Sequence, residues 1–206
     1  MKKVITTIIR IMFLALFIFL VIKGKTMLWF ALFGVSLILA LFFGRIYCGY
    51  ICPMNTIMSP VEWLSKKLKL QTNKIPKLLI SGKIAWIGLG LSILTMLIFK
   101  KFMKINLPIM MIWLVISVIV SLRYKPSVFH NLICPFGTLQ RLFGKFAFFT
   151  KKVDANSCVG CMLCKKACPA DAIKIENNKA IINKSLCHQC TKCQDVCPKN
   201  AIHYKK

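Results

Sequence analysis

The stretch CVGCMLCKKACPADAIKI, from Cys158 to Ile175, recurs near the end of the chain as CHQCTKCQDVCPKNAIHY, from Cys187 to Tyr204. Each copy has the spacing CxxCxxCxxxCP, in which three cysteines share one tight loop and a fourth precedes a proline. That spacing presents thiolates to a four-iron, four-sulfur (4Fe-4S) cubane. A zinc site or disulfides are the alternatives. Zinc sites usually show two CxxC pairs, and disulfides belong to an oxidising compartment, so the cubane is favoured.

The two copies also predict which cysteines bind each cluster. In two-cluster proteins of this kind, the fourth ligand of each cluster comes from the other copy of the motif. The predicted ligand sets are Cys158, Cys161, Cys164 and Cys197 for cluster 1, and Cys187, Cys190, Cys193 and Cys168 for cluster 2. His188 lies inside the second ligand loop, where we expect it to face solvent or to tune a cluster by hydrogen bonding rather than to bind iron.

Residues 1–150 are strongly apolar, unlike the cysteine-rich C-terminal segment of residues 151–206, which is called the tail below. The chain is 57% apolar with only five acidic residues, which leaves too little polar surface for one soluble domain of 206 residues. A helix that crosses the core of a bilayer needs roughly 20 apolar residues. We therefore predict a membrane all-α four-helix bundle over residues 1–150. The predicted spans are Val4 to Ile22, Thr26 to Phe43, Ile84 to Phe99 and Ile105 to Leu122.

The basic residues predict how this bundle is oriented. Five of the 30 lie in the turns 23–25 and 100–104, and the opposite side carries nearly all the others. Because Lys and Arg concentrate on the cytoplasmic side, we predict a multi-pass protein of the cytoplasmic membrane with both termini and the tail in the cytoplasm. The first segment could also be a signal peptide, but no small-residue cleavage site follows it. The net charge of +25 is explained by this topology and by anionic membrane lipid, so we expect no nucleic-acid partner.

A second, coarser repeat lies at the predicted cytoplasmic rim of the bundle. YCGYICPMNTI, from Tyr47 to Ile57, resembles FHNLICPFGTL, from Phe129 to Leu139. The first holds the pattern CxxxCP, with Cys48 and Cys52. The second keeps Cys134 but has His130 where the other cysteine would stand. Because a proline disfavours helical geometry in the residue before it, each motif should turn away from the end of its helix.

These four side chains suggest a third metal or iron-sulfur centre. After eight cysteines are assigned to the tail, Cys48, Cys52 and Cys134 remain, and a cubane needs four protein ligands. We hypothesise that His130 supplies the fourth. A neutral imidazole in place of a thiolate would raise the potential of such a cluster, as it does in Rieske centres. The alternative is that His130 is an ordinary interfacial histidine and that both Cys-Pro loops are structural turns.

The tail resembles the bacterial two-cluster ferredoxin domain, which implies a small α+β fold over residues 151–206. The order of spans, Cys-Pro loops and double motif is similar to that of the NapH-type membrane ferredoxins and of the membrane half of NosR-type proteins. That resemblance implies an integral membrane electron carrier associated with quinol oxidation or with a flavin-containing partner. The second loop departs from the family pattern at His130, because CxxxCP is expected twice.

Three functions remain open from the sequence. The leading one is electron transfer between the cytoplasmic 4Fe-4S clusters and a quinone or a partner flavoprotein or reductase subunit, as a quinol dehydrogenase or electron-transfer component of a larger oxidoreductase. A second is a membrane copper reductase or assembly factor, since thiolates suit Cu(I). The third is a structural anchor subunit of a redox complex. The three histidines, His130, His188 and His203, lie outside the predicted spans, which excludes a bis-histidine haem inside the bundle.

Overall fold

The first 150 residues form helices joined by short turns. The computed structural model describes residues 2–72, 75–102 and 109–205. The helices up to residue 150 are α1 (Lys2–Ile22), α2 (Thr26–Phe43), α3 (Pro53–Lys67), α4 (Lys77–Ile80), α5 (Lys83–Phe102), α6 (Ile109–Arg123), α7 (Pro126–Val128) and α8 (Pro135–Gly144). Each predicted span is helical where it is described. The first four residues of the span Ile105 to Leu122 lie outside the described residues.

Two of these helices have the length and composition to cross a membrane. They are Val4–Ile22 and Thr26–Phe43, with mean hydropathies of 2.7 and 2.3. Lys83–Phe99 and Ile109–Arg123 are shorter apolar helices in the described part of the chain. The apolar hairpin of α1 and α2 agrees with a membrane association of the N-terminal half.

The Cys-Pro motifs fold alike. Each follows a single turn of π-helix, and the amide of the motif cysteine donates a 2.8 Å hydrogen bond to the carbonyl five residues earlier. The π-helices are Tyr47–Ile51 and Phe129–Ile133. Cys52 (φ −64°, ψ 118°) and Cys134 (φ −67°, ψ 116°) are extended, as the following proline requires. The proline then occupies the first position of α3 or α8, where its missing N–H costs nothing, and the predicted turn is confirmed.

Each helix that follows a Cys-Pro motif packs against a helix from the other repeat. α3, from the first repeat, packs along α6 of the second, and Ser65 Oγ donates to the Leu122 carbonyl at 2.6 Å. α8, from the second repeat, packs along α2 of the first, where Gln140 Nε2 donates to Ser36 Oγ at 2.7 Å. The ring of Phe136 lies 5.2 Å from that of Phe33, near the middle of α2. Both Cys-Pro turns are therefore enclosed among helices.

The tail is a small α+β unit, as predicted. It contains β1 (Thr150–Val153), α9 (Leu163–Ala167), β2 (Ile173–Glu176), β3 (Lys179–Ile182), α10 (Lys192–Asp195) and β4 (Ile202–Lys205). β1 pairs with β4 and β2 with β3, both antiparallel. The unit begins at Thr150, one residue before the predicted boundary. The first ligand loop lies between β1 and β2, and the second lies between β3 and β4.

Candidate metal centres

The structure brings the four predicted ligands of cluster 1 around one cavity. Cys158, Cys161 and Cys164 line it from the first loop, and Cys197 lines it from the second copy of the motif. Apolar side chains of the strands, including Val153, Ile175 and Ile202, close the remaining walls. Four thiols around an apolar cavity are the donor set that a cubane takes. Cys161 is exposed at the outer edge of this site.

The predicted ligands of cluster 2 also converge, at a more buried position. The thiols of Cys187 and Cys193 each interact electrostatically with those of Cys190 and Cys168. Burial raises the pKa of Cys187 to about 11 and that of Cys193 to about 12. Buried thiols of this kind become thiolates when a bound cation compensates their charge, as iron does in a cluster. These residues therefore fit an iron-sulfur group.

Backbone amides point at several of these sulfur atoms. The amide of Ala172 donates to Cys168 Sγ and that of Ala201 donates to Cys197 Sγ, both at 3.3 Å, so the two copies repeat the same contact. Backbone N–H groups of Ala180 and Gly160 hold the pKa of Cys158 below its usual value. Amide hydrogen bonds stabilise sulfur that carries negative charge, and in clusters they help to set the reduction potential.

The two Cys-Pro segments, residues 47–57 and 129–139, are together called the Cys-Pro repeat, and they place three further thiols in the core. Cys48, Cys52 and Cys134 are all buried in the same core cluster. Burial, and then its neighbours Cys48 and Cys134, raises the pKa of Cys52, while burial raises the pKa of Cys134 to about 12. The amide of Gly137 donates to Cys134 Sγ at 3.3 Å. The three cysteines therefore form one buried group, as the hypothesis of a third centre requires.

The spacing of the candidate ligands bears on the type of metal group. In the described part of the chain, no three His, Cys, Asp or Glu side chains lie close enough to hold a single metal ion. A single zinc ion draws its thiolates to about 2.3 Å, whereas the corners of a cubane hold them further apart. The CxxCxxCxxxCP spacing of the tail cysteines suits a cubane better than a mononuclear ion such as zinc.

Arg45 is buried beside the Cys-Pro thiols without an acidic partner. It has no exposed surface, and its Nη2 lies 3.8 Å from Cys48 Sγ. Glu62 is the single acidic residue before residue 150. Its carboxylate pairs with Lys66 at 2.6 Å. A buried cation is costly unless an opposite charge compensates it, so the region around Cys48 is built for negative charge.

His130 is buried, with 2% of its surface exposed, and its ring lies edge-to-face against that of His188 at 4.9 Å. Burial, and then the charge of Arg45, lowers the pKa of His130 to about 3, so the imidazole is neutral. Its Nε2 has no hydrogen-bond partner within the described structure. A neutral imidazole with a free nitrogen is what a metal ligand needs. The role of His130 as the fourth ligand stays a prediction, since its ring is packed toward the tail.

Of the two alternatives predicted for His188, exposure to solvent was wrong, and the tuning of a cluster by hydrogen bonding stays a prediction. His188 is 1% exposed, because the Cys187 loop is pressed against the Cys-Pro repeat. Within the described residues, several polar atoms at this junction are buried without a partner. They are Arg45 Nε, His130 Nε2, both ring nitrogens of His188, and Oε1 and Nε2 of Gln189. Buried polar groups are nearly always satisfied in proteins, so this junction is a candidate functional feature.

Two functional residues, Arg45 and Asn131, were not singled out from the sequence. Arg45 Nη1 donates to Asn131 Oδ1 at 3.3 Å, and Asn131 Nδ2 donates to the Ala170 carbonyl at 2.8 Å. This chain of contacts joins both Cys-Pro loops to the tail. The signal for Arg45 was present, because it is a charged residue between an apolar span and a cysteine motif in a segment with almost no acid. Asn131 carries no such signal, since asparagine is common in turns.

Comparison with known families agrees with these sites. The family described as "4Fe-4S binding domain" matches residues 26–71 and 106–155, which contain the two Cys-Pro loops. The family described as "4Fe-4S dicluster domain" matches residues 150–203. No solved structure matches the chain.

Named relatives come from several organisms. An uncharacterised protein of Methanocaldococcus jannaschii is 31% identical over 66% of this chain and 55% of its own length. The "Ferredoxin-type protein NapH" of Haemophilus influenzae is 27% identical over 66% of this chain and 51% of its own length. The "Methylamine utilization ferredoxin-type protein MauN" of Methylobacillus flagellatus is 28% identical over 68% of this chain and 54% of its own length. The chain thus spans little more than half the length of these three relatives.

The fold, the cysteine sites and these matches define a ferredoxin-type 4Fe-4S protein with a function in electron transport. Within that class, the chain is similar to the NapH and MauN ferredoxin-type proteins, in agreement with the resemblance that its motifs predicted.

Proposed function

We propose that this protein is an integral membrane electron carrier. In this proposal electrons pass between two 4Fe-4S clusters in the tail and a centre at the Cys-Pro repeat, and from there to a quinone or a partner redox protein. The observation that carries the proposal is the contact between His130 and His188, which joins the ligand loop of cluster 2 directly to the Cys-Pro repeat. A tail that served only to hold a partner enzyme would not need its cluster loop buried there.

The tail residues have defined roles in this proposal. Cys158, Cys161, Cys164 and Cys197 would hold cluster 1, and Cys187, Cys190, Cys193 and Cys168 would hold cluster 2. Each bound cluster supplies one-electron chemistry without the making or breaking of bonds in a substrate. The protein supplies thiolate ligands and amide hydrogen bonds to sulfur, and the walls around the sites restrict water. All three influence a cluster's reduction potential.

A third centre at the Cys-Pro repeat is supported by charge. Arg45 needs a negative partner, and residues 1–150 offer none except Glu62, which is paired. The three buried thiols would become thiolates on binding iron and would then compensate Arg45. Cys48, Cys52, Cys134 and His130 are the proposed ligands. The match of the 4Fe-4S binding family to the segments that contain both loops adds weight to this assignment.

The proposed setting is the cytoplasmic membrane, with the tail on the cytoplasmic side. The apolar hairpin of α1 and α2 supports membrane association, and the presence of only five of the 30 basic residues in the two outer turns supports the orientation. In this arrangement lipid covers the exposed apolar faces of the spans, which suits a lipid-soluble acceptor such as a quinone.

Oxidation of the reduced protein by a quinone tests this function. The full chain, purified without oxygen in detergent, is reduced by a small low-potential donor and mixed with a water-soluble quinone analogue in a stopped-flow spectrometer. We expect the iron-sulfur absorbance to recover, and Cys52→Ser to slow that recovery at least tenfold because the route through the repeat is lost. Ser117→Ala, at an equally buried position on α6, is the control. If Cys52→Ser is oxidised as fast as the parent, electrons do not leave through the Cys-Pro repeat.

A further inference from the structure

The contacts between the tail and the Cys-Pro repeat involve one end of the tail. Besides the His130–His188 contact, Tyr50 Oη donates to the Gln189 carbonyl at 3.2 Å. Both tail residues lie between Cys187 and Cys190, the first two predicted ligands of cluster 2. Asn131 reaches Ala170, two residues after Cys168, which is the fourth predicted ligand of the same cluster. Three independent contacts therefore surround the site of cluster 2.

Gly49 shows how closely the two parts approach. A Cβ atom at this position would lie 2.1 Å from the backbone oxygen of His188. No side chain fits at that distance, so glycine is required for the Cys187 loop to dock. The carbonyl of Gly49 also accepts a 2.8 Å hydrogen bond from Arg10 Nε, which fixes the first Cys-Pro loop against α1.

The site of cluster 1 lies at the other end of the tail, and part of its ligand loop is exposed. Cys161 is exposed, and so are the neighbouring apolar side chains Val159 (59%) and Met162 (48%). The Cys187 loop, in contrast, is buried at Cys187, His188 and Gln189. The two ligand loops thus differ in their access to solvent: the Cys158 loop is exposed at Val159, Cys161 and Met162, whereas the Cys187 loop is covered by the Cys-Pro repeat.

We infer that the tail has a fixed polarity, in which the Cys187 loop faces the Cys-Pro repeat for electron exchange and the Cys158 loop faces outward to a soluble redox donor or acceptor. The inference rests on the proposed function and adds the order of the sites to it. An electron that enters at the Cys158 loop leaves through the Cys187 loop. Each transfer moves one electron and no atoms: one site is oxidised as the next is reduced, and the quinone or partner protein takes up the electron at the end.

His188 and Gly49 are positioning residues in this inference. His188 belongs to the Cys187 loop, and its conjugated ring contacts the ring of His130. Gly49 permits that contact because it has no side chain. Neither residue is a predicted ligand of a tail cluster, so each can be changed while all eight tail cysteines are retained.

The test compares Gly49→Ala with Gly90→Ala in the full chain, purified without oxygen. Gly90 lies on α5, and a Cβ there meets no atom within 4 Å, which makes it a matched control. Each cluster is followed by paramagnetic resonance during a redox titration. Cys161→Ser identifies the signal of cluster 1, because it changes an exposed ligand of that cluster alone. His188→Phe, which keeps a ring but removes its nitrogens, is a milder second variant.

We expect Gly49→Ala to retain the parent's tail iron, to shift the signal and potential of cluster 2, and to leave cluster 1 unchanged. Oxidation by the quinone analogue should slow at least tenfold, and His188→Phe should shift cluster 2 to a smaller extent. Gly90→Ala should match the parent. A response of cluster 1 instead of cluster 2, or no response of either cluster to both variants, would overturn the polarity. A failure of the proposed function looks different, because the parent itself would then not be oxidised by the quinone analogue.

Discussion

Replacing Cys197 by serine is expected to damage the cluster of the Cys158 loop, although Cys197 belongs to the other copy of the motif. The reason is geometric, since Cys197 lines the same cavity as Cys158, Cys161 and Cys164. The expected loss is about four of the roughly eight tail iron atoms, with the signal of the other cluster retained. Iron analysis and paramagnetic resonance of the reduced protein measure both effects.

Cys168→Ser is the matched counterpart of this variant. It should remove the cluster of Cys187, Cys190 and Cys193, because Cys168 lies among those thiols and repeats the amide contact of Cys197. The two variants should thus lose different signals. If Cys168→Ser instead removes the signal of the Cys158 loop, the crossed ligation is wrong and each motif binds its own cluster.

Replacing Arg45 by methionine is expected to lower the reduction potential of the centre at the Cys-Pro repeat. The reduced form of that centre carries one more negative charge, which the buried guanidinium stabilises. A fall of roughly 60 mV or more is expected, which corresponds to about a tenfold change in the equilibrium constant of a one-electron couple. The measurement is a redox titration of the anaerobically purified variant. Arg45→Lys, which keeps the charge, should shift the potential less.

Thermal unfolding of the Arg45→Met variant distinguishes a Cys-Pro repeat that holds a negatively charged centre from one that does not. If the repeat held no negative group, Arg45→Met would remove an uncompensated buried cation and would raise the unfolding temperature. With the centre in place, the variant should instead unfold at a lower temperature than the parent, because the negative group loses its buried counter-charge. Arg123→Met, at the end of α6, is the control because it changes an arginine outside the site. A stabilised Arg45→Met variant with the parent's iron content would therefore count against a third centre.

The tail was the most predictable part of the molecule. The spacing of its cysteines is dictated by the shape of the cubane, so a short local pattern predicts the fold, the cofactor and the convergence of Cys197 with the first loop. The helices of the first half were also predictable, because an apolar segment bounded by charges or glycine leaves few alternatives. The prediction Thr26 to Phe43 coincides with the bounds of α2.

The arrangement around the Cys-Pro repeat was not predictable from the sequence. The motif predicts a turn before each proline, but not that α3 and α8 would pack against the spans of the opposite repeat. That exchange depends on contacts between residues far apart in the chain, such as Gln140 with Ser36. The burial of His188 was missed for the same reason. Its local sequence belongs to an ordinary ligand loop, and its environment is supplied by Gly49 and His130.

The most direct test of electron transfer through the Cys-Pro repeat is the iron and sulfide content of the protein purified without oxygen. The parent is measured beside a variant carrying both Cys52→Ser and Cys134→Ser. We expect about twelve iron atoms per chain in the parent and about eight in the variant, four for each cubane, with a third paramagnetic signal in the parent alone. About eight iron atoms and two signals in both proteins would contradict the proposal, and the Cys-Pro loops would then be structural turns.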